Sequence, residues 1–129
     1  MNNACKYIII DDDPINNTIC KMVIKSAVGV TDVHSFTEPE KGLVFIKNDS
    51  FNLSEPVILF LDINMPTLSG WEFMEQYEHL REEIKQNISV YIVSSSVDKD
   101  DKSKAEANPD IKGFLSKPLN REIILSIDC

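Results

Sequence analysis

Short apolar runs alternate with helix-like segments along the whole of this 129-residue chain. The runs are rich in β-branched and aromatic residues, which favour strands. They are Tyr7–Ile10, Val30–Phe36, Val57–Leu61, Val90–Val93 and Ile111–Ser116. Strands that alternate with helices pair in parallel through right-handed crossovers, which put helices on both faces of the sheet. The sequence therefore predicts an α/β fold, a five-stranded parallel sheet in a three-layer sandwich.

Each predicted strand is followed by a predicted helix, which gives five βα units. The first helix starts at Asp13–Pro14, a cap followed by proline, and ends at Gly29. Its apolar residues recur at helical spacing: Ile15, Ile19, Met22, Val23 and Ala27. The second helix opens with the capping-box spacing of Thr37–Glu40. The remaining helices are predicted within 73–84, 97–108 and 120–129.

The composition excludes several classes of protein. A formal net charge of −8 argues against a nucleic-acid-binding surface, which needs clustered Lys and Arg. The amino-terminal residues cannot form the apolar region of a signal peptide, and no apolar stretch is long enough to cross a bilayer. Three unevenly spaced cysteines suggest neither a disulfide framework nor a zinc site. We therefore expect a cytoplasmic protein of one domain that binds neither nucleic acid nor membranes.

Charged and hydroxyl side chains stand at the ends of four predicted strands. They are Asp11, Asp12, Asp62, Ser94 and Lys117. Because the carboxyl ends of parallel strands line one edge of a sheet, we expect these side chains to lie together. Crowded carboxylates repel one another unless a divalent cation binds between them, and oxygen ligands favour Mg²⁺ or a similar hard ion. With an ammonium and a hydroxyl nearby, such an edge is suited to phosphoryl chemistry.

Each of these residues also has a simpler interpretation when it is taken alone. Asp11–Asp13 can be acids at the start of a helix, which accounts well for Asp13 as the cap. Asp62 can form an Asx-turn, and Lys117 can be a solvated surface group. Their joint placement at strand ends favours a common site instead, with Asp62 as a nucleophile toward phosphorus.

Four segments resemble the receiver domain of two-component response regulators, whose fold is flavodoxin-like, (βα)5. They are Ile8–Pro14 (IIIDDDP), Leu61–Gly70 (LDINMPTLSG), Ile92–Ser95 (IVSS) and Gly113–Pro118 (GFLSKP). The second segment is highly specific, because an aspartate is followed by Met-Pro and then by a glycine at this distance. The resemblance covers essentially the whole chain and implies one receiver domain over residues 1–129, with no effector domain.

The resemblance implies a role for each matching residue. Asp62 corresponds to the phosphoacceptor, and Lys117 and Ser94 to the residues that bind the phosphoryl group. The implied ligands of Mg²⁺, or Mn²⁺, are Asp11, Asp12, Asp62 and the backbone carbonyl of Asn64. The implied switch residues are Ser94 and Phe114, and the positions that tune the lifetime of the phosphoryl group are Asn64 and Ser96.

The implied function is to accept a phosphoryl group from a sensor histidine kinase or a histidine phosphotransfer protein and then to bind a downstream target protein. The protein is expected to be a monomer or a weak homodimer. It is not expected to be an enzyme, beyond catalysing its own phosphorylation and dephosphorylation. The chain departs from the family where Ser94 replaces the commoner Thr, where Ser95 replaces the usual Ala, and in its short last helix.

Two other functions compete with this interpretation. A pseudo-receiver would be a binding module that is never phosphorylated, and Ser95 keeps that alternative open because a bulkier residue can crowd phosphoryl entry. A phosphatase of the haloacid dehalogenase type would use Asp11 as its nucleophile, in the pattern Asp11-x-Asp13. That class also needs a late acidic pair after a fourth strand, which this chain does not obviously supply.

Overall fold

The computed structural model describes residues 5–29, 32–48, 55–95 and 98–127, and in these residues five strands form one parallel sheet in the order β2-β1-β3-β4-β5. The strands are β1 (Lys6–Ile10), β2 (Val33–Phe36), β3 (Val57–Asp62), β4 (Ile88–Ser94) and β5 (Ile111–Ser116). The helices are α1 (Pro14–Val28), α2 (Pro39–Lys47), α3 (Gly70–Tyr77), α4 (Glu82–Lys85), α5 (Lys99–Ala107) and α6 (Arg121–Ser126). The predicted α/β fold is confirmed.

Two apolar cores lie on opposite faces of the sheet. Alternate residues of a strand point to opposite faces, so Ile8 and Ile10 of β1 pack on one side while Ile9 packs on the other. The Ile8 side is covered by α2, α3, α4 and α5, and the Ile9 side by α1 and α6. All six residues of β3 are buried, as expected for a central strand between two helical layers. The three-layer sandwich therefore holds the carboxyl ends of its strands rigidly at one edge.

Only part of the apolar repeat that predicted α1 faces the sheet, because Val23 and Ala27 pack against the core whereas the other three residues do not. Ile15, Ile19 and Met22 are 70%, 46% and 65% exposed, respectively. The buried residues of α1 are Asn17, Cys20 and Ile24. The helix therefore carries two stripes, of which the one facing the sheet includes an amide and a thiol. The exposed apolar stripe is left without a partner in the part of the chain that is described.

Two predictions about the other helices are wrong. The spacing of Thr37–Glu40 does not form a capping box, because Pro39 is the first residue of α2 and Glu38, its N-cap, makes no side-chain capping bond. The helix predicted within 73–84 is split into α3 and α4, since the chain turns through Leu80 and takes an extended conformation at Arg81. A capping box does occur at the start of α3, where Ser69 and Glu72 bond reciprocally.

None of the described helices is long and apolar enough to cross a membrane. The predicted strand at residues 30–36 is observed over Val33–Phe36, and residues 30 and 31 lie outside the described residues. Ser96, the second of the predicted lifetime-tuning positions, also lies outside them. The other predicted site residues are all described.

Candidate functional site at the carboxyl edge of the sheet

Three consecutive aspartates after β1 have different surroundings. Asp11 is buried, whereas Asp12 and Asp13 are exposed. The Asp13 carboxylate accepts hydrogen bonds from the backbone N–H groups of Ile15 and Asn16, which confirms its predicted role as the N-cap of α1. Capping thus accounts for Asp13 and leaves Asp11 and Asp12 at the strand edge.

Asp62 is the last residue of β3 and is buried. Its Oδ1 accepts a hydrogen bond of 3.2 Å from the backbone N–H of Asn64, which is the contact of an Asx-turn. The turn predicted as an alternative to a functional role therefore exists, and it orients the carboxylate. The loop closes at Gly70, whose N–H donates to the Ile63 carbonyl at 3.1 Å. A Cβ on Gly70 would lie 2.7 Å from the Ile63 Cα and 2.9 Å from the Asp62 carbonyl oxygen, so the close approach requires glycine.

The carboxylates of Asp11, Asp12 and Asp62 converge. One oxygen from each lies within 4.8 Å of the others. Three carboxylates at this separation repel one another, and a hard divalent cation bound by oxygen ligands relieves that repulsion. The donor set fits Mg²⁺ or Mn²⁺, as predicted from the strand ends.

Lys117 reaches this cluster from the end of β5. Its Nζ lies 2.7 Å from Asp11 Oδ2 and 3.6 Å from Asp62 Oδ1. The backbone N–H of Lys117 donates to the Ser94 carbonyl at 2.9 Å, which fixes the lysine beside the end of β4. The ammonium therefore pairs more closely with Asp11 than with Asp62.

Burial and like charge shift the ionisation of the site. Burial, followed by the charge of Asp11, raises the pKa of Asp62 from 3.8 to about 6, although the Asn64 hydrogen bond and the Lys117 charge oppose the rise. For Lys117, burial would lower the pKa, but its hydrogen bond and ion pair with Asp11, together with Asp62, raise it overall. Strongly shifted groups in contact with one another are typical of functional sites.

The remaining predicted residues surround this centre. Ser94 is the last residue of β4 and is buried, and Asn64 is exposed two residues beyond Asp62. Phe114 is partly buried beside the core under α5, where it lines an open groove of about 220 Å³ with Ala105 and Lys102. Ser95 is exposed. Asp11, Asp12, Asp62 and Lys117 thus meet directly, and Ser94 lies at the same edge.

Sequence reasoning missed two amides that hold Asp11. The Asn16 side-chain NH₂ donates to Asp11 Oδ2 at 2.7 Å, and that of Asn17 donates to the Asp11 backbone carbonyl at 3.0 Å. The sequence signal for these two contacts is the pair of adjacent asparagines at the start of α1. The apolar repeat, however, predicted a different buried face for that helix. Cys20, one turn further along, is buried beside them, and burial followed by the Asp11 charge raises the pKa of its thiol to about 11.

The sheet order and the three converging carboxylates at its edge define an α/β protein whose acidic cluster has a donor set that fits a divalent cation. A family model described as the response regulator receiver domain matches residues 7–127. The chain therefore belongs to the response regulator receiver family of two-component systems.

Individual relatives agree with this assignment. The structure of a two-component response regulator from Cytophaga hutchinsonii is 28% identical, with a TM-score of 0.87 over 97% of this chain and 94% of that one. A CheX–CheY–BeF₃–Mg²⁺ complex from Borrelia burgdorferi, 22% identical, shares the fold with a TM-score of 0.72 over 94% and 84% of the two chains. A probable C4-dicarboxylate response regulator, DctR, of Bacillus subtilis is 27% identical over 91% of this chain and 47% of its own length. The chain thus spans about half the length of that relative.

Proposed function

We propose that this receiver accepts a phosphoryl group on Asp62 and thereby changes the surface that it presents to a target protein. The observation that carries the proposal is the convergence of Asp11, Asp12 and Asp62, with the Lys117 ammonium in ion-pair contact with two of them. A carboxylate held beside a cation site and an ammonium is equipped to attack phosphorus, because the charges that develop on the phosphoryl oxygens have partners in place.

In the transfer step an Asp62 carboxylate oxygen attacks the phosphorus of a phosphohistidine or of a small phosphodonor. The new O–P bond forms as the bond to the leaving group breaks; a leaving imidazole takes up a proton from solvent, and a small acyl phosphate releases its carboxylate anion. Asp11, Asp12, Asp62 and the Asn64 carbonyl would hold Mg²⁺ or Mn²⁺, which neutralises charge on the phosphoryl oxygens when it is bound. Lys117 would exchange its contact with Asp11 for a phosphoryl oxygen. The protein would catalyse no reaction beyond its own phosphorylation and dephosphorylation.

The new dianionic group on Asp62 is the signal in this proposal. Ser94 lies at the end of the neighbouring strand and would donate its hydroxyl proton to a phosphoryl oxygen. Phe114 is one strand further along and only partly buried, so it has room to change position. The groove between Phe114 and α5 would change with it, which couples local charge to a surface.

The exposed apolar stripe of α1 suits the protein that delivers the phosphoryl group. Ile15, Ile19 and Met22 follow one face of a helix that begins directly after the acidic residues. An apolar stripe at this spacing fits the face of another helix. We infer that a sensor kinase or phosphotransfer protein docks a histidine-bearing helix along this stripe.

Intact-mass analysis after incubation with Mg²⁺ and acetyl phosphate tests the proposal. The wild-type chain should gain one phosphoryl group that needs Mg²⁺ and is released by hydroxylamine, and Asp62→Asn should abolish the gain. Glu83→Gln removes an exposed carboxylate from α4, at the opposite end of β4, and is the matched control. Labelling that persists in Asp62→Asn and is lost in Asp11→Asn would support the phosphatase-like alternative. No labelling by acetyl phosphate or by a cognate kinase would support the pseudo-receiver.

A further inference from the structure

The Asp11 carboxylate accepts hydrogen bonds from two further donors in addition to its ion pair with Lys117. Its Oδ1 accepts the Asp13 backbone N–H at 2.9 Å. Its Oδ2 is shared by the Lys117 ammonium at 2.7 Å and the Asn16 side-chain NH₂ at 2.7 Å. One oxygen thus has two donors of different kinds, one charged and on a long side chain, the other neutral and on a short one.

Asn16 is itself held in place by one contact of its backbone and one of its side chain. Asn16 is in the first turn of α1, where its backbone N–H lies 3.4 Å from the capping carboxylate of Asp13. Its Nδ2 also lies 3.7 Å from the Sγ of Cys20, one helical turn further on. Asn16 and Cys20 line a small cavity that reaches Asp11 and Asp62. A short side chain fixed in this way is a better permanent partner for Asp11 than a lysine, whose long side chain loses more rotamer freedom when it is held.

We propose that Asn16 is a positioning residue for phosphoryl transfer, which keeps the Asp11 carboxylate oriented when Lys117 turns toward the phosphoryl group. This inference rests on the function proposed above. If Lys117 were the sole donor to Oδ2, its departure would leave a buried carboxylate oxygen unsatisfied, which carries a desolvation cost. With Asn16 in place, Oδ2 keeps a hydrogen bond and the carboxylate keeps its direction toward the cation.

The same contact affects the resting protein. Outer partners that orient a metal-ligating carboxylate typically change metal affinity about 10- to 100-fold when they are removed. Asn16 bonds Asp11 and is not one of the three residues whose carboxylates converge, so its contribution should appear as metal affinity and not as a change in which residue is phosphorylated.

The test measures the dissociation constant for Mg²⁺ by titration calorimetry on the whole chain. Asn16→Leu replaces the amide by a side chain of similar shape without a donor, and Asn16→Ala removes it. We expect the Mg²⁺ dissociation constant to rise about tenfold in both variants, the lower end of the effect of losing an outer partner. Thr18→Ala is the matched control on the same helix, because its exposed hydroxyl bonds the Pro14 carbonyl and not the site.

The possible outcomes separate this inference from the proposed function. Wild-type labelling on Asp62 combined with an unchanged or tighter Mg²⁺ affinity in Asn16→Leu would overturn the role of Asn16 alone. A lower melting temperature without a change in Mg²⁺ affinity would do the same, since it indicates a merely structural contact. An equal loss of affinity in Thr18→Ala would also overturn it. If the wild-type chain neither binds Mg²⁺ nor becomes labelled, the proposed function fails, and the role of Asn16 fails with it.

Discussion

The buried Asp62 carboxylate should destabilise the metal-free protein, and its neutralisation should therefore stabilise it. Asp62 is 5% exposed and its pKa rises from 3.8 to about 6. A difference of about two pKa units corresponds to about 3 kcal/mol between the charged and neutral forms, at about 1.4 kcal/mol for each unit. Asp62→Asn keeps the shape of the side chain and removes the charge. In EDTA at pH 7.5 we expect this variant to unfold with a free energy about 2–3 kcal/mol larger than that of the wild-type chain.

The sign of the pH dependence follows from the direction of the shift. Between pH 4 and pH 6 the folded wild-type protein holds the Asp62 proton more tightly than the unfolded chain does. The contribution of Asp62 to the free energy of unfolding therefore falls as the pH rises through that window. Above the pKa of Asp62 in the folded protein, this contribution is constant. The advantage of Asp62→Asn should accordingly be small near pH 4 and complete near pH 7.

Urea unfolding followed by circular dichroism, at pH 4.5 and pH 7.5 in EDTA, measures both effects. Mg²⁺ at about 100 times its dissociation constant should stabilise the wild-type chain by about 2.7 kcal/mol. It should stabilise Asp62→Asn much less, because one ligand has lost its charge. Glu83→Gln should behave as the wild-type chain in every condition. If Asp62→Asn were no more stable than the wild-type chain at pH 7.5 without metal, the argument from burial and carboxylate repulsion would be wrong.

Four other substitutions test the site and the elements around it. Gly70→Ala should lower the free energy of unfolding by about 1–3 kcal/mol through overpacking and should slow labelling by acetyl phosphate. Gly29→Ala, at φ 71°, should lower it by about 1–2 kcal/mol through backbone strain and leave labelling unchanged. Lys117→Met should raise the pKa of the Asp62 carboxylate further, seen as a higher titration midpoint in ¹³C NMR, and should abolish labelling; an unchanged midpoint would show that the ammonium does not act on it. Trp71→Phe removes the 3.0 Å hydrogen bond from Trp71 Nε1 to Asp101 and should cost about 0.5–1.5 kcal/mol, with faster amide exchange in α5; equal exchange in both proteins would mean that this contact does not hold the helix.

The strands and the acidic edge could be predicted because they depend on strong local signals. A run such as Val57–Leu61 has no polar residue, so it fits only a strand covered on both faces, and a charged residue directly after it must lie at the strand end. The side of a helix that faces the sheet is a weaker signal. In α1 the more apolar stripe, with Ile15 and Met22, is exposed, and Asn17 is buried because its amide bonds the Asp11 carbonyl. The amide and its acceptor are close in sequence, but the sequence alone does not show which side of the helix carries this contact.

The break between α3 and α4 was missed for a related reason. Apolar residues continue at helical spacing through Ile84, which is buried as the pattern predicts. The chain nevertheless leaves the helix after Tyr77, where the N–H groups of His79 and Leu80 bond carbonyls three residues earlier and Arg81 becomes extended. Periodicity records which residues are buried, but a short turn that keeps the same residues facing the core gives nearly the same pattern.

The charges at the carboxyl edge explain why this site would bind a cation first and a phosphoryl group afterwards. The carboxylates of Asp11, Asp12 and Asp62 together with the Lys117 ammonium leave a net charge of about −2 when all are ionised. Burial first, and then the charge of Asp11, raise the pKa of Asp62, so the fully ionised cluster is unfavourable. A divalent cation brings the cluster close to neutrality, which lowers the repulsion that an incoming phosphoryl group meets. The proposed phosphorylation would replace one carboxylate charge by a dianion and make the edge negative again, at a position that the Lys117 ammonium can reach. In the proposed transfer, the Lys117 ammonium would move from Asp11, 2.7 Å away, toward the phosphorylated Asp62, which it already approaches to 3.6 Å.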